Sequence, residues 1–216
     1  IEETRISGGT PLHYLIADAT GASATIEYLG GSLVVHRGTT LPTANLTNDS
    51  YEKSLSYLTR FTGFGGTRAM PGSSSSLDRF ARTAMRMRNA NHVSTDAAFD
   101  ILQNVAQPGS TRWSIVYDTA RREIHWVTDQ NRQRKTIRIE ALDLDCAAAP
   151  KMLDAHSSLA GDVTSLLDDY SADTNRQLVT SSYAATSFTR DQPARYAEDD
   201  AAHAESIRCW GPGRRA

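Results

Sequence analysis

Between residues 12 and 37, hydrophobic and polar residues follow the period of β-strands. The apolar run LHYLIAD is followed by the turn residues ATG and by SATIEYL, in which Ala24, Ile26 and Tyr28 alternate with polar partners. Gly30 and Gly31 then precede the run SLVVHR. A two-residue glycine loop favours a hairpin because glycine accepts positive φ. The pattern predicts three antiparallel strands.

The period changes to that of amphipathic helices after residue 50. Ser50, Ser76, and Ser94 or Thr95 are the predicted N-caps of three helices, since serine and threonine favour that position. Gly63 is the predicted end of the first helix. The residues predicted to face inward are Tyr51, Leu55, Leu58 and Phe61, then Leu77, Phe80, Ala81, Ala84 and Met87, then Ala98, Ile101, Leu102 and Val105.

Strand periodicity returns after residue 109, in the segments WSIVYD, EIHWVT and KTIRIEAL. A last amphipathic helix is predicted over residues 159–170, whose apolar positions have helical spacing. The resulting order is strands, helices, strands, helix. This segregation favours an α+β fold, with antiparallel sheets covered by helices, over a doubly wound parallel sheet.

The chain divides by composition near residue 190. Residues 1–190 are predicted to form one domain. Residues 191–216 are rich in Ala, Asp, Glu and Arg but poor in aliphatic residues. Such a segment buries too little apolar surface to offset its ordering entropy. A disordered tail is therefore predicted there, above all over residues 199–216.

Charge and composition exclude several classes of partner and site. The 216 residues carry a formal net charge of −2, so no nucleic-acid partner is expected. No apolar run reaches the length of a membrane span, and no membrane partner is expected. The six histidines are scattered without metal-ligand spacing. Cys146 and Cys209 lack CxxC spacing and are interpreted as plain thiols.

Asn48 is the residue that local chemistry alone singles out. It falls at a predicted strand-to-helix corner, where its side-chain amide offers two donors to a cleft. An asparagine before a helix can equally serve only to turn the chain. The glycines of GFGG lack the following Lys-Ser/Thr of a phosphate loop, and Ser73 to Ser76 are interpreted as a loop and cap.

Four segments in order resemble the choloylglycine hydrolase family, which includes penicillin V acylases and bile salt hydrolases. They are LHYLIADATGASATIEYLGGSLVVHRG with LPTANLTNDSYEKSL, then MPGSSSSLDRFARTA, then AFDILQNVAQP, then WSIVYDTARREIHWVTDQNRQ. The resemblance runs from about residue 10 to residue 146 and more weakly to 170. It covers the C-terminal two-thirds of such a protein.

The resemblance implies an αββα sandwich of the N-terminal-nucleophile class, partial in this chain. It implies hydrolysis of a linear carbon–nitrogen amide bond by an N-terminal cysteine, with no metal or organic cofactor. Asn48 matches the family's active-site asparagine, a donor to the oxyanion, and Arg79 matches its active-site arginine. Both are the expected catalytic residues. A cation near a cysteine sulfur favours the thiolate.

Residue 1 is isoleucine, and neither Cys146 nor Cys209 lies where the family places its nucleophile. We therefore expect this polypeptide alone to be inactive. The alternatives are an inactive or decayed product that keeps the fold as a structural module, and a small-molecule binding protein that uses the same cleft. The expected substrate is a small-molecule amide, with penicillin V or N-acyl homoserine lactones ranked slightly above conjugated bile salts. A homotetramer is expected from the resemblance.

Overall fold

The computed structural model describes residues 12–90, 94–187, 189–192 and 194–206. Strands and helices are segregated along the chain, as the sequence predicts. The elements are β1 (His13–Ala17), β2 (Ser23–Leu29), β3 (Ser32–Arg37), α1 (Tyr51–Leu58), α2 (Ser76–Asn89), α3 (Thr95–Val105), β4 (Trp113–Asp118), β5 (Glu123–Thr128), β6 (Lys135–Arg138), β7 (Lys151–Met152), β8 (Gly161–Asp162), β9 (Asp168–Asp169), α4 (Ala172–Ala185) and α5 (Ala194–Ser206).

The first sheet is antiparallel, with β2 between β1 and β3. Gly30 and Gly31 connect β2 to β3 with φ values of 58° and 81°, which confirms the predicted glycine hairpin. Both faces of β2 are buried, because Ile26 is 5% exposed on one face and Glu27 is 1% exposed on the other.

A hydrophobic core lies between α1, α2 and the segment that precedes α1. Tyr51 and Phe80 are fully buried at its centre, with ring centroids 5.9 Å apart in an edge-to-face arrangement. Such aromatic pairs stabilise a core beyond the area that they bury. The other members of this core are Leu41, Leu58, Phe61, Ala81 and Ala84.

The second sheet contains β4, β5 and β6 in antiparallel order, with β8 parallel beside β6. Ile115 of β4 and Lys135 of β6 flank Trp126 of β5. Helix α3 is held to this sheet through a cation–π contact, in which the Arg134 guanidinium lies 4.7 Å from the Phe99 ring centroid.

The helix predicted over residues 159–170 is wrong. The structure has β8 there, with Gly161 opposite Lys135, followed by a short 3-10 turn at Thr164–Leu166 and by β9. Gly161 has a φ of 74°, and the Asp162 carboxylate accepts a hydrogen bond from the Thr164 amide at 3.0 Å. Both features favour a turn over a continuous helix.

A disordered tail was predicted over residues 191–216, above all over 199–216, whereas the structure has helix α5 at Ala194–Ser206. Alanine is the strongest helix former, and Ala197 and Ala201 are buried. The Asn175 side chain of α4 donates to the Ala201 carbonyl at 2.9 Å, which ties the two helices together. Residues 207–216 lie outside the described part, and the division of the chain near residue 190 stays a prediction.

The helix caps agree only in part with the sequence. Ser94 caps α3 as predicted, accepting from the Ala97 amide at 3.1 Å. The cap of α2 is Ser75 and not Ser76. Ser50 precedes α1, but its hydroxyl makes no capping hydrogen bond, and α1 ends at Leu58, well before Gly63.

None of the helices in the described ranges is long and apolar enough to cross a membrane.

Cys146 is disulfide-bonded, so its interpretation as a plain thiol is wrong, and Cys209 lies outside the described residues.

Candidate functional site

Residues 43–49 form the irregular segment that leads into α1, and polar contacts fix it to α2. Asn45, which is 5% exposed, donates from Nδ2 to the carbonyl of Phe80 at 3.0 Å. Its Oδ1 accepts from the Thr43 hydroxyl at 3.1 Å. Because both the oxygen and the nitrogen of this buried amide are hydrogen-bonded, they hold the backbone at Asn45 in one position.

A second set of contacts flanks Asn48 on both sides. The Thr47 hydroxyl donates to the Ser76 carbonyl at 3.1 Å, and the Asp49 amide donates to the Ser76 hydroxyl at 2.8 Å. The Asp49 carboxylate also forms an ion pair with Lys53 one turn along α1. Ser76 therefore faces the segment that carries Asn48, which explains why the cap of α2 is its neighbour Ser75.

Asn48 and Arg79 come from different segments and meet at this corner. The Arg79 guanidinium donates from Nη2 to Asn48 Oδ1 at 2.5 Å and from Nε to the Ser74 carbonyl at 3.2 Å. Asn48 is exposed and Arg79 is half-buried. Because Oδ1 is engaged by the cation, the Nδ2 group is turned away from Arg79 and has no partner among the described residues.

The charge of Arg79 is maintained in this setting. Partial burial lowers the pKa of its guanidinium, the positive charge of Arg82 lowers it further, and the Asp49 carboxylate opposes both effects. An arginine remains protonated in proteins under such shifts. The corner therefore presents a fixed positive charge beside an amide whose two N–H donors remain available.

The N-terminus of α2 is braced from both sides. Asp78 accepts from the Tyr57 hydroxyl at 2.6 Å and from the Ser73 hydroxyl at 2.5 Å. Partial burial raises the pKa of the Asp78 carboxyl, but the hydrogen bonds from Ser73 and Tyr57 outweigh it and hold that pKa below its usual value. Arg82 donates to the Ser73 carbonyl at 2.5 Å. These contacts fix the turn of helix from which Arg79 projects.

A cavity of about 120 Å³ lies between Asn48 and the first sheet. His13, Glu27 and Ser50 line it together with Asn48. Sequence reasoning missed Glu27, which it treated only as one of the polar residues that alternate with Ala24, Ile26 and Tyr28. No local signal marked its burial, because that burial depends on the packing of α1 against the sheet.

Residues 2–151 match the family described as linear amide C–N hydrolases, choloylglycine hydrolase family. This chain belongs to the choloylglycine hydrolase family. The predicted resemblance to this family is thereby confirmed.

Three similar proteins illustrate the relationship. Penicillin V acylase from Pectobacterium atrosepticum is 27% identical over an alignment of 136 residues, and the match covers 50% of this chain and 36% of that protein. The structure of penicillin V acylase from Agrobacterium tumefaciens aligns with a TM-score of 0.65 at 25% identity, covering 74% of this chain and 56% of the other. A variant of conjugated bile acid hydrolase from Clostridium perfringens aligns with a TM-score of 0.54 at 22% identity, covering 63% and 52%.

The matched part thus spans between about a third and just over half of these relatives. The predicted mixed fold with segregated helices and strands agrees with these structural neighbours. The structure brings Asn48 and Arg79 of the choloylglycine hydrolase motifs into direct contact, while their catalytic roles stay predictions.

Other candidate groups lie elsewhere. Cys146 lines a separate apolar cavity against Trp126 of the second sheet, and Ile1 lies outside the described residues. Within the described part of the chain, no cluster of three or more His, Cys, Asp or Glu side chains could hold a metal ion.

Proposed function

We propose that the complete protein hydrolyses the linear amide bond of a small N-acyl substrate. The observation that carries this proposal is the contact between Arg79 and Asn48 Oδ1. When a cation donates a hydrogen bond to the oxygen of a side-chain amide, it polarises that amide. The N–H groups at the other end become stronger donors. Asn48 then offers a prepared donor to a developing oxyanion, the charge that forms when an amide carbonyl is attacked.

The family membership supports the proposed reaction. The thiolate of an N-terminal cysteine adds to the amide carbonyl carbon, and the cysteine's own α-amino group takes the thiol proton. Asn48 Nδ2 donates to the resulting oxyanion. The amine leaves after receiving that proton, and water then hydrolyses the acyl-enzyme. Arg79 holds Asn48 and adds a fixed positive charge, which favours thiolate over thiol.

The nucleophile is proposed to come from a segment of the complete protein outside this chain. The described residues contain the single cysteine Cys146, and its sulfur is disulfide-bonded. An αββα sandwich is proposed for the complete protein, in which that segment adds to the first sheet. On this proposal the chain of 216 residues has no activity by itself.

Penicillin V is the proposed first substrate to test. The relatives include penicillin V acylases and a conjugated bile acid hydrolase, which define two acyl classes. The connection between β2 and β3 is only the two residues Gly30 and Gly31, so it adds no wall to a deep pocket for a steroid. This short connection favours penicillin V or another N-acyl amide over conjugated bile salts.

Hydrolysis of penicillin V and of a glycine-conjugated bile salt should be measured for the complete protein and for residues 1–216. We expect activity only in the complete protein. Replacing Asn48 by Ala should lower kcat by about 100-fold, the usual cost of one oxyanion donor. Arg79→Ala should lower kcat by about tenfold or more, because Asn48 loses its orientation and the site loses a charge.

Two exposed residues of α2 provide matched controls. Arg86→Ala removes an arginine from the same helix, and Asn89→Ala removes an asparagine, and neither residue lies at the corner. Both variants should keep wild-type kinetics. Activity of residues 1–216 alone would contradict the proposed nucleophile. A folded complete protein that binds penicillin V without hydrolysing it would favour the binding-protein alternative.

A further inference from the structure

The Glu27 carboxylate of β2 lies at the junction of the first sheet, the N-terminus of α1 and the cavity beside Asn48. It is 1% exposed. Both of its oxygens accept from the backbone amide of Tyr51, each at 3.1 Å. Tyr51 is the first residue of α1 and follows Asn48 by three positions. The carboxylate is therefore a direct tie between the sheet and the chain segment that carries Asn48.

Two histidines from the neighbouring strands converge on the same carboxylate. His13 Nδ1 of β1 lies 3.0 Å from Glu27 Oε1, and His36 Nε2 of β3 lies 3.9 Å from Oε2. The His36 ring also packs on the Tyr51 ring, with centroids 4.8 Å apart. Glu27 is thus fixed from both sides of its strand, and it in turn fixes Tyr51.

The tie replaces the local cap that α1 lacks. The Ser50 hydroxyl makes no capping hydrogen bond, although serine is a preferred capping residue. A cap supplied by residue 50 would move with the loop, whereas a cap supplied by β2 is anchored in the sheet. A carboxylate is also favoured electrostatically at a helix N-terminus, and this interaction adds to the hydrogen bonds from the Tyr51 amide.

We infer that Glu27 is a positioning residue for the amide hydrolysis, acting through Tyr51 to hold Asn48 in place relative to the first sheet and its cavity. The inference rests on the proposed function. Asn48 is flanked by two anchors: Ser76 of α2 holds Thr47 and Asp49, and Glu27 of β2 holds Tyr51. Removing the second anchor leaves Asn48 attached to α2 but free to shift relative to the sheet that bears the cavity.

Steady-state kinetics of the complete protein with penicillin V test this role through a double-mutant cycle. Glu27→Leu should lower kcat by about tenfold and leave KM within about twofold, because misplacement of a group that stabilises the transition state affects kcat. Glu27→Gln keeps one acceptor oxygen for the Tyr51 amide and should restore most of the loss, to within about threefold of wild type. In an Asn48→Ala background, both substitutions should change kcat by less than about twofold.

Thr25→Val is the matched control for a buried polar residue on the same face of β2. Thr25 is 0% exposed, and its hydroxyl has no hydrogen-bond partner among the described residues. The control should keep wild-type kcat in both backgrounds. An equal proportional loss from Glu27→Leu with and without Asn48 would show a merely structural role and overturn the inference. If Glu27→Leu does not fold, Glu27→Gln is measured with and without Asn48 instead. An equal proportional loss of kcat in the two backgrounds would again overturn the inference.

Hydrogen exchange of the Tyr51 amide separates failure of this inference from failure of the proposed function. Glu27→Leu should accelerate that exchange by about tenfold or more over Thr25→Val, since the amide loses its acceptor. Unchanged exchange would overturn the inference whatever the activity. If exchange is accelerated in Glu27→Leu but the wild-type protein hydrolyses no amide, the proposed function is overturned. The catalytic part of the inference is then overturned with it.

Discussion

Glu27 and Lys135 are both almost fully withdrawn from solvent, but they lie in different sheets with different surroundings. Glu27, 1% exposed, accepts hydrogen bonds from Tyr51 and His13. Lys135, 0% exposed, has no hydrogen-bond partner for Nζ among the described residues. Its ammonium lies 6.0 Å from the Trp126 ring centroid. One buried charge is bound by its neighbours, and the other rests against an aromatic ring.

The difference shows when a buried charge can define a structure. Removing a charge from water is costly, and only partners of fixed geometry compensate for that cost. Glu27 has such partners on three elements, and it lies beside the candidate site. Lys135 has no hydrogen-bond partner in the described part of the chain. We therefore expect substitutions of the two residues to change the free energy of unfolding in opposite directions.

The largest expected effect is the loss of stability in Glu27→Leu. The substitution leaves the Tyr51 amide without an acceptor and separates α1 from the sheet. An unsatisfied buried donor costs about 1–3 kcal/mol, so we expect a loss of about 3 kcal/mol once the His13 contact is included. Urea unfolding measures this loss as a lower midpoint.

Thr25→Val supplies the comparison for that measurement. It removes a buried hydroxyl without leaving an unsatisfied partner, so its midpoint should equal or exceed that of the wild type. If Glu27→Leu and Thr25→Val unfold at the same midpoint, the contacts of Glu27 contribute nothing to stability, and the contrast with Lys135 does not hold.

The same two residues show what the sequence could and could not predict. Alternation and turn residues predicted the strands, the Gly30-Gly31 hairpin and the order of elements, because those signals are local. Neither buried charge was predicted. Glu27 occupies a polar position of an alternating strand, and its burial depends on α1, which packs against the sheet from a distant part of the sequence.

The candidate site shows the same limit. Asn48 and Arg79 were recognised through the motifs that surround them, and their contact joins residues 31 positions apart. The anchors of that contact, Asn45 and Ser76, were not predicted as such, since a polar residue in a loop gives no local sign of its partner. The error over residues 159–170 has a related cause. Gly161 and Asp162, which lie between the apolar residues at helical spacing, pair with β6, and this tertiary pairing overrides the local periodicity.

The second prediction is that Lys135→Met stabilises the protein. Methionine fills a similar volume and adapts to irregular packing beside Trp126. Replacing a poorly compensated buried charge by an apolar residue is often neutral or stabilising, and we expect a gain of about 1–2 kcal/mol at pH 7. Urea unfolding of both proteins provides the measurement. A loss of stability would mean that the ammonium has an effective partner.

The gain should also depend on pH in a defined direction. Burial lowers the pKa of the Lys135 ammonium, and the negative charge of Asp154 opposes this effect. The unfolded chain then binds more protons than the folded chain between the lowered pKa and the ordinary value of about 10.4, so wild-type stability rises with pH in that window. The advantage of Lys135→Met should therefore shrink as pH rises from 7 toward 10. An advantage that is constant with pH would contradict the lowered pKa.

Asp78 is an intermediate case with the smallest expected effect, since its partners are neutral hydroxyls and it is 9% exposed. Its pKa is held below the usual value because the hydrogen bonds from Ser73 and Tyr57 outweigh partial burial. A depressed carboxyl pKa contributes stability above the unfolded value of about 3.9, and this contribution is lost as pH falls through the folded value. Asp78→Asn should therefore cost about 1 kcal/mol at pH 5 to 7, and the cost should shrink as the pH falls below the unfolded value. Asp96→Asn removes an acid from the first turn of α3, where the side chain is 81% exposed, and should cost less than about 0.5 kcal/mol. If the two variants lose the same free energy of unfolding, the effect of Asp78 comes from its place at a helix N-terminus and not from its hydrogen-bond partners. Stabilisation of a buried charge by its partners would then apply to Glu27 alone.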